Sequence, residues 1–261
     1  MHFHSKQIII TGASSGIGEA VVSELSAFDC SIHIIARRID YLNDLKKKLS
    51  GNPAKIQTYQ CDVSNREQIL HTVAAIYEQT DRVDLAILNA GVGIYNDFTS
   101  FSADNAETMI SVNVLGMLYC IEALAPRFIQ QRSGIIAGVS SLADSRGFAR
   151  SGVYCASKAA ATLVLESAAV ELLQYNIKVI TIRPGFVKTP MTDKNKFKMP
   201  FLMPAEKAAK IILRGLQKEK RYIAFPLILK LIVDIGRLVP NSLFEFFSRK
   251  QYQSLNKNAV K

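Results

Sequence analysis

A tyrosine and a lysine four residues apart are the pair best suited to chemistry in this sequence. Tyr154 and Lys158 lie in a stretch of helical period, where this spacing places both side chains on one face. A free phenol, with a pKa of about 10, exchanges protons poorly at neutral pH, but a nearby cation stabilises the phenolate and lowers that pKa. We therefore predict that Tyr154 is a general acid/base and that Lys158 supplies the cation.

Polar residues upstream of this pair could complete an active site. Ser140 and Ser141 close a strand-like run, where a hydroxyl would point into a crevice and hydrogen-bond a substrate oxygen. Asn113 is a short amide in an apolar helical segment, and it could hold a water that relays protons through Lys158. Each also has a plainer explanation, because a strand-end serine is commonly a cap and a buried asparagine commonly satisfies local backbone.

A glycine-rich turn near the N-terminus predicts a dinucleotide site. It lies between a strand-like run and a helical segment, which is the context that such a site requires. Glycines let the backbone turn sharply and approach a pyrophosphate closely, and the helix N-terminus supplies N–H donors and a positive dipole end. The residues that we assign to the cofactor in this glycine turn are Gly12, Ser14, Ser15, Gly16, Ile17 and Gly18.

Two arginines decide which dinucleotide the sequence favours. Arg37 and Arg38 follow the second strand-like run, where an acidic residue would bind a free ribose 2′-hydroxyl. Arginine presents a planar fork of donors that suits a 2′-phosphate, so we predict NADP(H) as the cofactor. The alternative is that both arginines are solvated charges near Asp40 and Asp44.

Residues that follow later strands add to the predicted cofactor site. Asp62, which comes directly after the third strand, could accept a hydrogen bond from the adenine amine. After the fourth strand, small residues and a flexible turn would lie beside the cofactor. These assignments are Asp62, Val63, Asn89, Ala90 and Gly91.

The elements that must position these residues alternate along the chain. Apolar, β-branched runs are separated by longer segments of helical period, which predicts a Rossmann-type, doubly wound parallel sheet with helices on both faces. The binding crevice of such a fold lies beyond the carboxyl ends of the strands. The predicted strands cover residues 6–11, 31–36, 55–60, 85–89, 134–139 and 178–183, with a helix over 205–218 and a last strand over 221–225.

The chain divides into one domain and an extension. Its 261 residues, 49% of them hydrophobic, suit a single α/β domain, which we place at residues 1–225. A Lys- and Pro-rich stretch at about 189–204 predicts a mobile flap within that domain. Residues 226–261 form the C-terminal extension, which is apolar and basic.

Positive charge is concentrated near the C-terminus. The net charge is +10, but residues 1–193 hold 17 Lys/Arg against 18 Asp/Glu, whereas residues 194–261 hold 15 against 4. If Pro226 opens a helix, Lys230, Asp234 and Arg237 form one narrow polar stripe on an apolar surface. These polar residues interrupt the ~20 apolar residues that a bilayer span needs, so we reject a transmembrane helix.

Four roles then remain open for the C-terminal extension. It could lie in a membrane interface, contact a second subunit, form a lid over an apolar substrate pocket, or pack on the core of the protein. The excess of Lys and Arg favours an anionic membrane surface. We expect no nucleic-acid binding, because the basic residues are not interleaved with aromatics along a groove.

Cysteine usage and the N-terminus indicate a cytoplasmic protein. The four cysteines are scattered without a CxxC pair or a companion histidine, so we predict reduced thiols and no metal site. The first six residues run directly into a strand, which leaves no room for a secretory signal.

The order of these motifs resembles that of the short-chain dehydrogenase/reductase family over about residues 6–225. The shared features are a Thr-Gly-x-x-x-Gly-x-Gly turn, an Asn-Ala-Gly turn, and a serine followed by Tyr-x-x-x-Lys. The resemblance implies a catalytic tetrad of Asn113, Ser141, Tyr154 and Lys158. Ser141 is preferred to Ser140 because family members have the serine thirteen positions before the tyrosine.

A Pro-Gly segment also resembles the family's pattern, in which it lies against the nicotinamide. It adds Pro184, Gly185, Val187 and Thr189 to the cofactor residues, together with Tyr154 and Lys158. The C-terminal extension is more similar to that of membrane-associated hydroxysteroid dehydrogenases than to the ending of soluble acyl-carrier reductases. The family also implies a homo-oligomer, either a dimer or a tetramer.

We therefore predict an NADP(H)-dependent oxidoreductase that transfers a hydride between the nicotinamide and a carbonyl or alcohol. The substrate walls would come from variable segments that contain Phe98, Phe148, Phe197 and Phe201, which favours an apolar substrate such as a lipid, steroid or retinoid. The alternative is a protein that senses NADPH, or acts as a scaffold, without turnover. The intact tetrad argues against that alternative.

Overall fold

The strands and helices alternate along the chain in a computed structural model that describes residues 1–195 and 197–259. Lys196 of the predicted flap and residues 260 and 261 of the C-terminal extension lie outside the described residues. The strands are β1 (Gln7–Thr11), β2 (Ser31–Ala36), β3 (Lys55–Gln60), β4 (Leu85–Leu88), β5 (Gly134–Val139), β6 (Ile177–Pro184) and β7 (Tyr222–Phe225). The helices are α1 (Gly16–Leu25), α2 (Ile39–Lys48), α3 (Arg66–Tyr77), α4 (Ala103–Ile110), α5 (Gly116–Gln131), α6 (Gly152–Glu171), α7 (Ala205–Gln217), α8 (Leu227–Leu238) and α9 (Asn241–Ala259).

The strands form one seven-stranded parallel sheet in the order β3-β2-β1-β4-β5-β6-β7. The chain order reverses between β1 and β4, whose last paired residues are Thr11 and Leu88. At such a switch point the connections leave the sheet in opposite directions and open a crevice beyond the carboxyl ends. The predicted Rossmann-type fold is confirmed.

Two cores lie on opposite faces of the sheet. Ile8 and Ile10 of β1 join one buried cluster, which includes residues of α1 and α7. Ile9, between them, joins the other cluster, which includes residues of α3, α5 and α6. Successive side chains of a strand point to opposite faces, so the unbroken Ile8–Ile10 run satisfies both cores.

Four strands differ from their predicted bounds, each by one residue at one or both ends. β1 and β7 begin one residue late, β4 ends one residue early, and β6 begins one residue early and ends one residue late, at Pro184. β4 ends at Leu88, and the side chain of the next residue, Asn89, hydrogen-bonds the backbone of Thr11 and Gly12 at the end of β1. The residues that follow β4 therefore belong to the candidate site and not to the ladder.

Two helical stretches, Ala103–Gln131 and Gly152–Glu171, are long and apolar enough to span a bilayer on those criteria alone. Both contribute to the cores of the α/β body, through residues such as Leu124 and Leu165, which are buried against the sheet. Packing against the sheet therefore accounts for their apolar composition.

Helix α8 turns its polar side inward. Asp234 lies 3.7 Å from the buried Arg183 of β6 and accepts a hydrogen bond from Lys230 at 2.6 Å. Leu229 packs against the body. Six apolar side chains of the helix face outward and are each more than half exposed: Leu227, Ile228, Leu231, Ile232, Ile235 and Leu238. Of the predicted polar stripe, Lys230 and Asp234 are half-buried against the body, whereas Arg237 is exposed.

Candidate active site

The glycine turn has a backbone that only glycine suits. Gly12 and Gly16 have φ values of +68° and +62°, in the left-handed region that side chains disfavour. A Cβ on Gly12 would lie 2.7 Å from the Cα of Ala90, and one on Gly18 would collide with the Gly12 carbonyl oxygen. The turn therefore leaves its backbone open at the N-terminus of α1, where a pyrophosphate can approach closely.

The turn after β4 braces the glycine turn. Asn89 donates from Nδ2 to the carbonyl oxygens of Thr11 and Gly12, each at 3.1 Å. The Thr11 hydroxyl accepts from the backbone N–H groups of Asn89 and Ala90, at 3.0 and 3.1 Å. Sequence analysis assigned Asn89 and Ala90 to the cofactor and omitted Thr11. In the structure all three hold the shape of the glycine turn.

The two arginines after β2 have different partners. Arg38 donates from Nη2 to the hydroxyls of Ser14 and Ser15, at 3.0 and 3.1 Å. Arg37 is exposed, and its Nη1 lies 3.7 Å from the Asp62 carboxylate. Arg38 and the two serines thus form a cluster of donors at the rim of the glycine turn.

In the turn after β3, the Asp62 carboxylate already accepts hydrogen bonds from within that turn. The backbone N–H and the hydroxyl of Ser64 both donate to its Oδ1, at 3.0 and 2.7 Å. Its other oxygen faces Arg37. Val63 is buried and would contact a Cβ placed on Gly116, so it forms part of the apolar floor under this turn.

Lys158 is buried beneath the active site. Its Nζ donates to the Val139 carbonyl oxygen, at the end of β5, at 2.9 Å. The same atom lies 6.0 Å from the centre of the Tyr154 ring. Burial lowers the pKa of Lys158 to about 8. A Cβ on Gly91 would lie 3.2 Å from both Lys158 Nζ and Asn113 Oδ1, so a side chain at this position would crowd both groups.

Tyr154 does not have the lowered pKa that the sequence led us to expect. Burial raises the pKa of this phenol, and hydrogen bonding with the Ser141 side chain lowers it only in part. The Lys158 ammonium is 6.0 Å from the ring centre, and the cost of a charged phenolate in a buried site dominates the pKa of the phenol. The Tyr154 phenol is therefore protonated at neutral pH in this state.

The two serines after β5 face different surroundings. Ser140 is buried, donates to the Lys158 carbonyl oxygen at 2.8 Å, and accepts from the Thr162 hydroxyl at 2.7 Å. Ser141 is partly exposed, accepts from the Ala143 N–H at 3.1 Å, and lies close enough to Tyr154 to lower the pKa of the phenol. The structure thus brings Ser141, and not Ser140, beside the phenol.

Asn113 clamps the loop that follows β4. It is buried in a π-helical turn, Ser111–Leu115, between α4 and α5. Its Oδ1 accepts from the Val92 N–H at 2.8 Å, and its Nδ2 donates to the Val92 carbonyl and the Ser157 hydroxyl, both at 2.9 Å. The two contacts with Val92 satisfy backbone groups, as the plainer explanation of a buried asparagine predicts. The water relay stays a prediction.

The flap lies across the crevice. Val187 pairs with Met203 and closes the base of the flap, and Thr189 lies against Gly16 of the glycine turn. Met191 packs beside Gly93, close to the Tyr154 ring. Pro184 ends β6, and Gly185 follows it under α8. Aromatic rings pack together in and beside the flap and form a roof over the crevice. The pairs are Tyr95–Phe197 and Phe186–Phe197, whose ring centroids lie 6.4 and 5.8 Å apart.

A buried ion pair that sequence analysis missed lies under the Ser141 turn. Arg183 donates to both oxygens of Asp144, at 2.8 and 2.5 Å, and the Thr162 hydroxyl lies 2.7 Å from the same carboxylate. The partners are 39 residues apart along the chain, so no local pattern could have paired them. The pair fixes the turn after Ser141 to the end of β6.

Together these contacts place a phenol, a hydroxyl and a buried ammonium at the carboxyl ends of the strands, beside a backbone cradle with arginine at its rim. The phenol and the hydroxyl can hydrogen-bond one substrate oxygen. The described residues contain no cluster of His, Cys, Asp or Glu that could hold a metal ion, and the four cysteines are buried and free.

Comparison with known proteins identifies relatives of this arrangement. The family model for short chain dehydrogenases matches residues 6–199. A Myxococcus xanthus protein described as an uncharacterized oxidoreductase is 30% identical over 242 residues, which are 93% of this chain and 96% of that protein. A 3-oxoacyl-acyl-carrier-protein reductase of Thermotoga maritima is 31% identical over 194 residues, which are 74% of this chain and 79% of that protein.

Solved structures show the same fold. A short-chain dehydrogenase/reductase from Burkholderia phymatum in complex with NAD has a TM-score of 0.82 at 21% identity, and the match covers 90% of this chain and 94% of that one. A short-chain dehydrogenase from Sphingobium yanoikuyae in complex with NADPH has a TM-score of 0.78 at 24% identity, with coverages of 85% and 88%. The chain belongs to the short-chain dehydrogenase/reductase family.

Proposed function

We propose that this protein is an NADP(H)-dependent oxidoreductase that transfers a hydride between the nicotinamide and a carbonyl or alcohol of an apolar substrate. The observation that carries the proposal is the placement of the Ser141 side chain beside the Tyr154 phenol, with the buried Lys158 ammonium 6.0 Å from the centre of the phenol ring. A hydroxyl pair of this kind is suited to orient a substrate oxygen and to exchange a proton with it. The proposed tetrad is Asn113, Ser141, Tyr154 and Lys158.

The residues of the crevice fit a dinucleotide. The open backbone of the glycine turn suits the pyrophosphate, and Thr189 of the flap lies against that turn. The bound dinucleotide would supply or accept the hydride. The residues that we propose to hold it are Gly12, Ser14, Ser15, Gly16, Ile17, Gly18, Arg37, Arg38, Asp62, Val63, Asn89, Ala90, Gly91, Tyr154, Lys158, Pro184, Gly185, Val187 and Thr189.

Each side chain of the tetrad has a role in handling the proton or the substrate oxygen. In reduction, the Tyr154 O–H donates its proton to the oxygen of the carbonyl, and Ser141 donates a hydrogen bond to the same oxygen. Lys158 stabilises the phenolate that remains, since a cation in an apolar site interacts strongly with a nearby anion. Asn113 positions the loop after β4 and the Ser157 hydroxyl beside this group.

The contacts of Arg38 favour NADP(H) over NAD(H). Its guanidinium and the hydroxyls of Ser14 and Ser15 already form one cluster at the rim of the glycine turn. Such a cluster can surround a 2′-phosphate with charge-assisted hydrogen bonds.

Aromatic and sulfur-containing side chains near Tyr154 favour an apolar substrate. Met191 lies beside the phenol ring, and Phe197 and Phe186 form the roof above the crevice. Phe148 forms part of the loop between Ser141 and Tyr154. Such walls exclude water and suit a lipid, steroid or retinoid-like carbonyl or alcohol.

We also propose that the protein is cytoplasmic and forms a homo-oligomer. Apolar side chains on α4, α5 and α6 remain exposed in the single chain: Ile110, Leu118, Leu163 and Val170. These helices cover the sheet with their other face. A second copy of the chain, which presents the same surface, can bury them in a symmetric contact.

We propose that the outer face of α8 lies on an anionic membrane surface. Six adjacent apolar side chains of one helix are more than half exposed there, and the exposed Leu243, Phe246 and Phe247 of α9 follow. Residues 194–261 hold 15 Lys/Arg against 4 Asp/Glu. An apolar face with surrounding positive charge suits the interface of anionic lipids.

Replacing the phenol tests the proposed chemistry. Tyr154→Phe should lower kcat by roughly 10²–10⁴-fold and leave the Kd for NADPH within a few-fold, since the hydroxyl transfers the proton but contributes little to cofactor binding. Tyr222→Phe is the matched control, because Tyr222 lies at the start of β7, away from the carboxyl ends of the strands, and its hydroxyl donates to Glu166. Steady-state kinetics and NADPH fluorescence titration measure the two quantities.

Wild-type kcat in Tyr154→Phe would show that another group transfers the proton. NADPH binding without turnover of any carbonyl or alcohol by the wild-type protein would favour the sensor or scaffold alternative.

Removing the charge of Arg38 tests the choice of cofactor. Arg38→Ala should raise the Kd for NADPH about tenfold and leave the Kd for NADH unchanged, because only the former presents a 2′-phosphate to the guanidinium. Lys48→Ala, at the far end of α2, removes the same charge away from the cradle. A wild-type protein that prefers NADH in titration, or an equal loss for both cofactors, would contradict this assignment.

Vesicle binding tests the role of α8. The protein should sediment with anionic vesicles more than with neutral ones, and salt should weaken the binding without abolishing it, because only the electrostatic part is screened. Leu231→Asp should abolish sedimentation. Leu173→Asp, also on an exposed leucine but remote from α8, should not.

A wild-type protein that stays in the supernatant at low salt would end the membrane proposal. If Leu231→Asp then also lowers the mass measured by light scattering, the outer face of α8 is covered by a second copy.

A further inference from the structure

Arg146 holds the junction between α8 and α9. It lies in the 142–151 loop, between Ser141 and Tyr154. Its Nε donates to the Gly236 carbonyl at 3.2 Å, its Nη1 donates to Asn241 Oδ1 at 2.8 Å, and its Nη2 donates to the Val239 carbonyl. The last carbonyls of a helix have no partners within the helix and lie at the negative end of its dipole. A guanidinium therefore satisfies this helix end well.

Aromatic contacts reinforce this attachment. The Arg146 guanidinium lies over the Phe244 ring of α9, with its carbon 4.7 Å from the ring centre. Phe148, from the same loop, packs edge-on against Phe244 with centroids 6.3 Å apart. The loop that follows the active-site serine is thus packed on the C-terminal extension.

A second attachment joins α9 to the loop after β4. The Tyr252 hydroxyl lies 3.1 Å from both carboxylate oxygens of Asp97. Arg150, at the end of the 142–151 loop, donates to the same carboxylate at 3.1 Å, and its carbonyl accepts from the Asn96 N–H at 3.0 Å. Helix α9 therefore contacts both loops that flank Tyr154.

Helix α8 approaches the site from the other side. Leu229 packs so closely against Gly185 that a Cβ on that glycine would lie 2.7 Å from Leu229 Cδ2. Asp234 faces Arg183, which pairs with Asp144 under the Ser141 turn. The C-terminal extension is thus in contact with the Pro-Gly segment and with the turn after the serine.

We propose that the C-terminal extension is a wall of the substrate site and that Arg146 is the positioning residue that holds it there. The proposal rests on the oxidoreductase function proposed above. The two loops that the extension holds lie outside the sheet. The 142–151 loop joins Ser141 to Tyr154, and the loop after β4 passes beside the Tyr154 ring at Gly93. The extension then determines how an apolar substrate is bound, whereas cofactor binding and proton transfer depend on the sheet ends and on α6.

Kinetics of Arg146→Ala test the wall. On an apolar ketone that the wild-type protein reduces, KM should rise about tenfold or more with kcat within about threefold, since binding common to ground state and transition state is lost. The Kd for NADPH should not change. Arg146→Lys should recover part of the loss, because an ammonium can still donate to helix-end carbonyls.

Arg82→Ala is the matched control. Arg82 pairs with Asp84 at the start of β4, on the edge of the sheet opposite to the crevice. Its removal should leave KM, kcat and the Kd for NADPH unchanged. An equal rise of KM in both variants would show a general structural effect and overturn the proposal.

A fluorescence measurement reports on the attachment of the C-terminal extension and requires no enzymatic turnover. The chain has no tryptophan, so Phe244→Trp introduces a single reporter beside Arg146. Adding Arg146→Ala to this variant should shift the emission to the red and increase quenching by acrylamide, because the indole becomes exposed. Unchanged emission would show that Arg146 does not hold the extension.

A red-shifted emission together with an unchanged KM would show that Arg146 attaches the extension but that the extension is not a substrate wall. That result also overturns the proposal. If the wild-type protein binds NADPH but turns over no carbonyl or alcohol, the proposed function fails and the wall fails with it. The tryptophan measurement still decides the separate question of whether Arg146 holds the extension.

Discussion

The burial of the Lys158 ammonium is the constraint on which the site depends. A charged group in an apolar interior is costly, and burial lowers the pKa of this lysine to about 8. The Val139 carbonyl accepts from Nζ at 2.9 Å, and the Ser140 hydroxyl bonds the lysine's own carbonyl at 2.8 Å. These two contacts fix α6 to the end of β5. They therefore also fix the distance between Ser141, at the strand end, and Tyr154, in the first turn of the helix.

The turn after β4 connects this chemical centre to the cofactor cradle. Asn89 braces the glycine turn, Gly91 leaves space for Lys158 and Asn113, and Asn113 in turn clamps Val92. A larger residue at position 91 would push against both the ammonium and the amide. In the proposed function, the same short segment sets the position of the dinucleotide relative to the phenol, and hydride transfer requires that position to within about 0.5 Å. The turn after β4 thus supports both the glycine turn and the residues around Lys158.

Sequence patterns predicted the sheet and much of the site because the signals are local. β-branched runs marked the strands, the glycine turn lay between a strand and a helix, and helical spacing placed Tyr154 and Lys158 on one face. The pKa of Tyr154 was not predictable, because the balance between burial and a cation depends on the packed structure. Periodicity predicted the polar stripe of α8 but not its direction, since it shows which residues share a face and not what that face meets. The contacts of Arg146 with α8 and α9 span about 90 residues of chain, which no local pattern records.

The central claim is that the crevice transfers a hydride, and transfer of an isotopic label tests it most directly. The protein is mixed with NADPH that contains deuterium at the reactive C4 position of the nicotinamide and with a panel of apolar ketones and aldehydes, and the products are examined by mass spectrometry and NMR. The account predicts an alcohol with one deuterium on the carbinol carbon, formed in equal amount to the NADP⁺ produced. NADPH that binds but keeps its deuterium with every carbonyl, or an alcohol without the label, would contradict it.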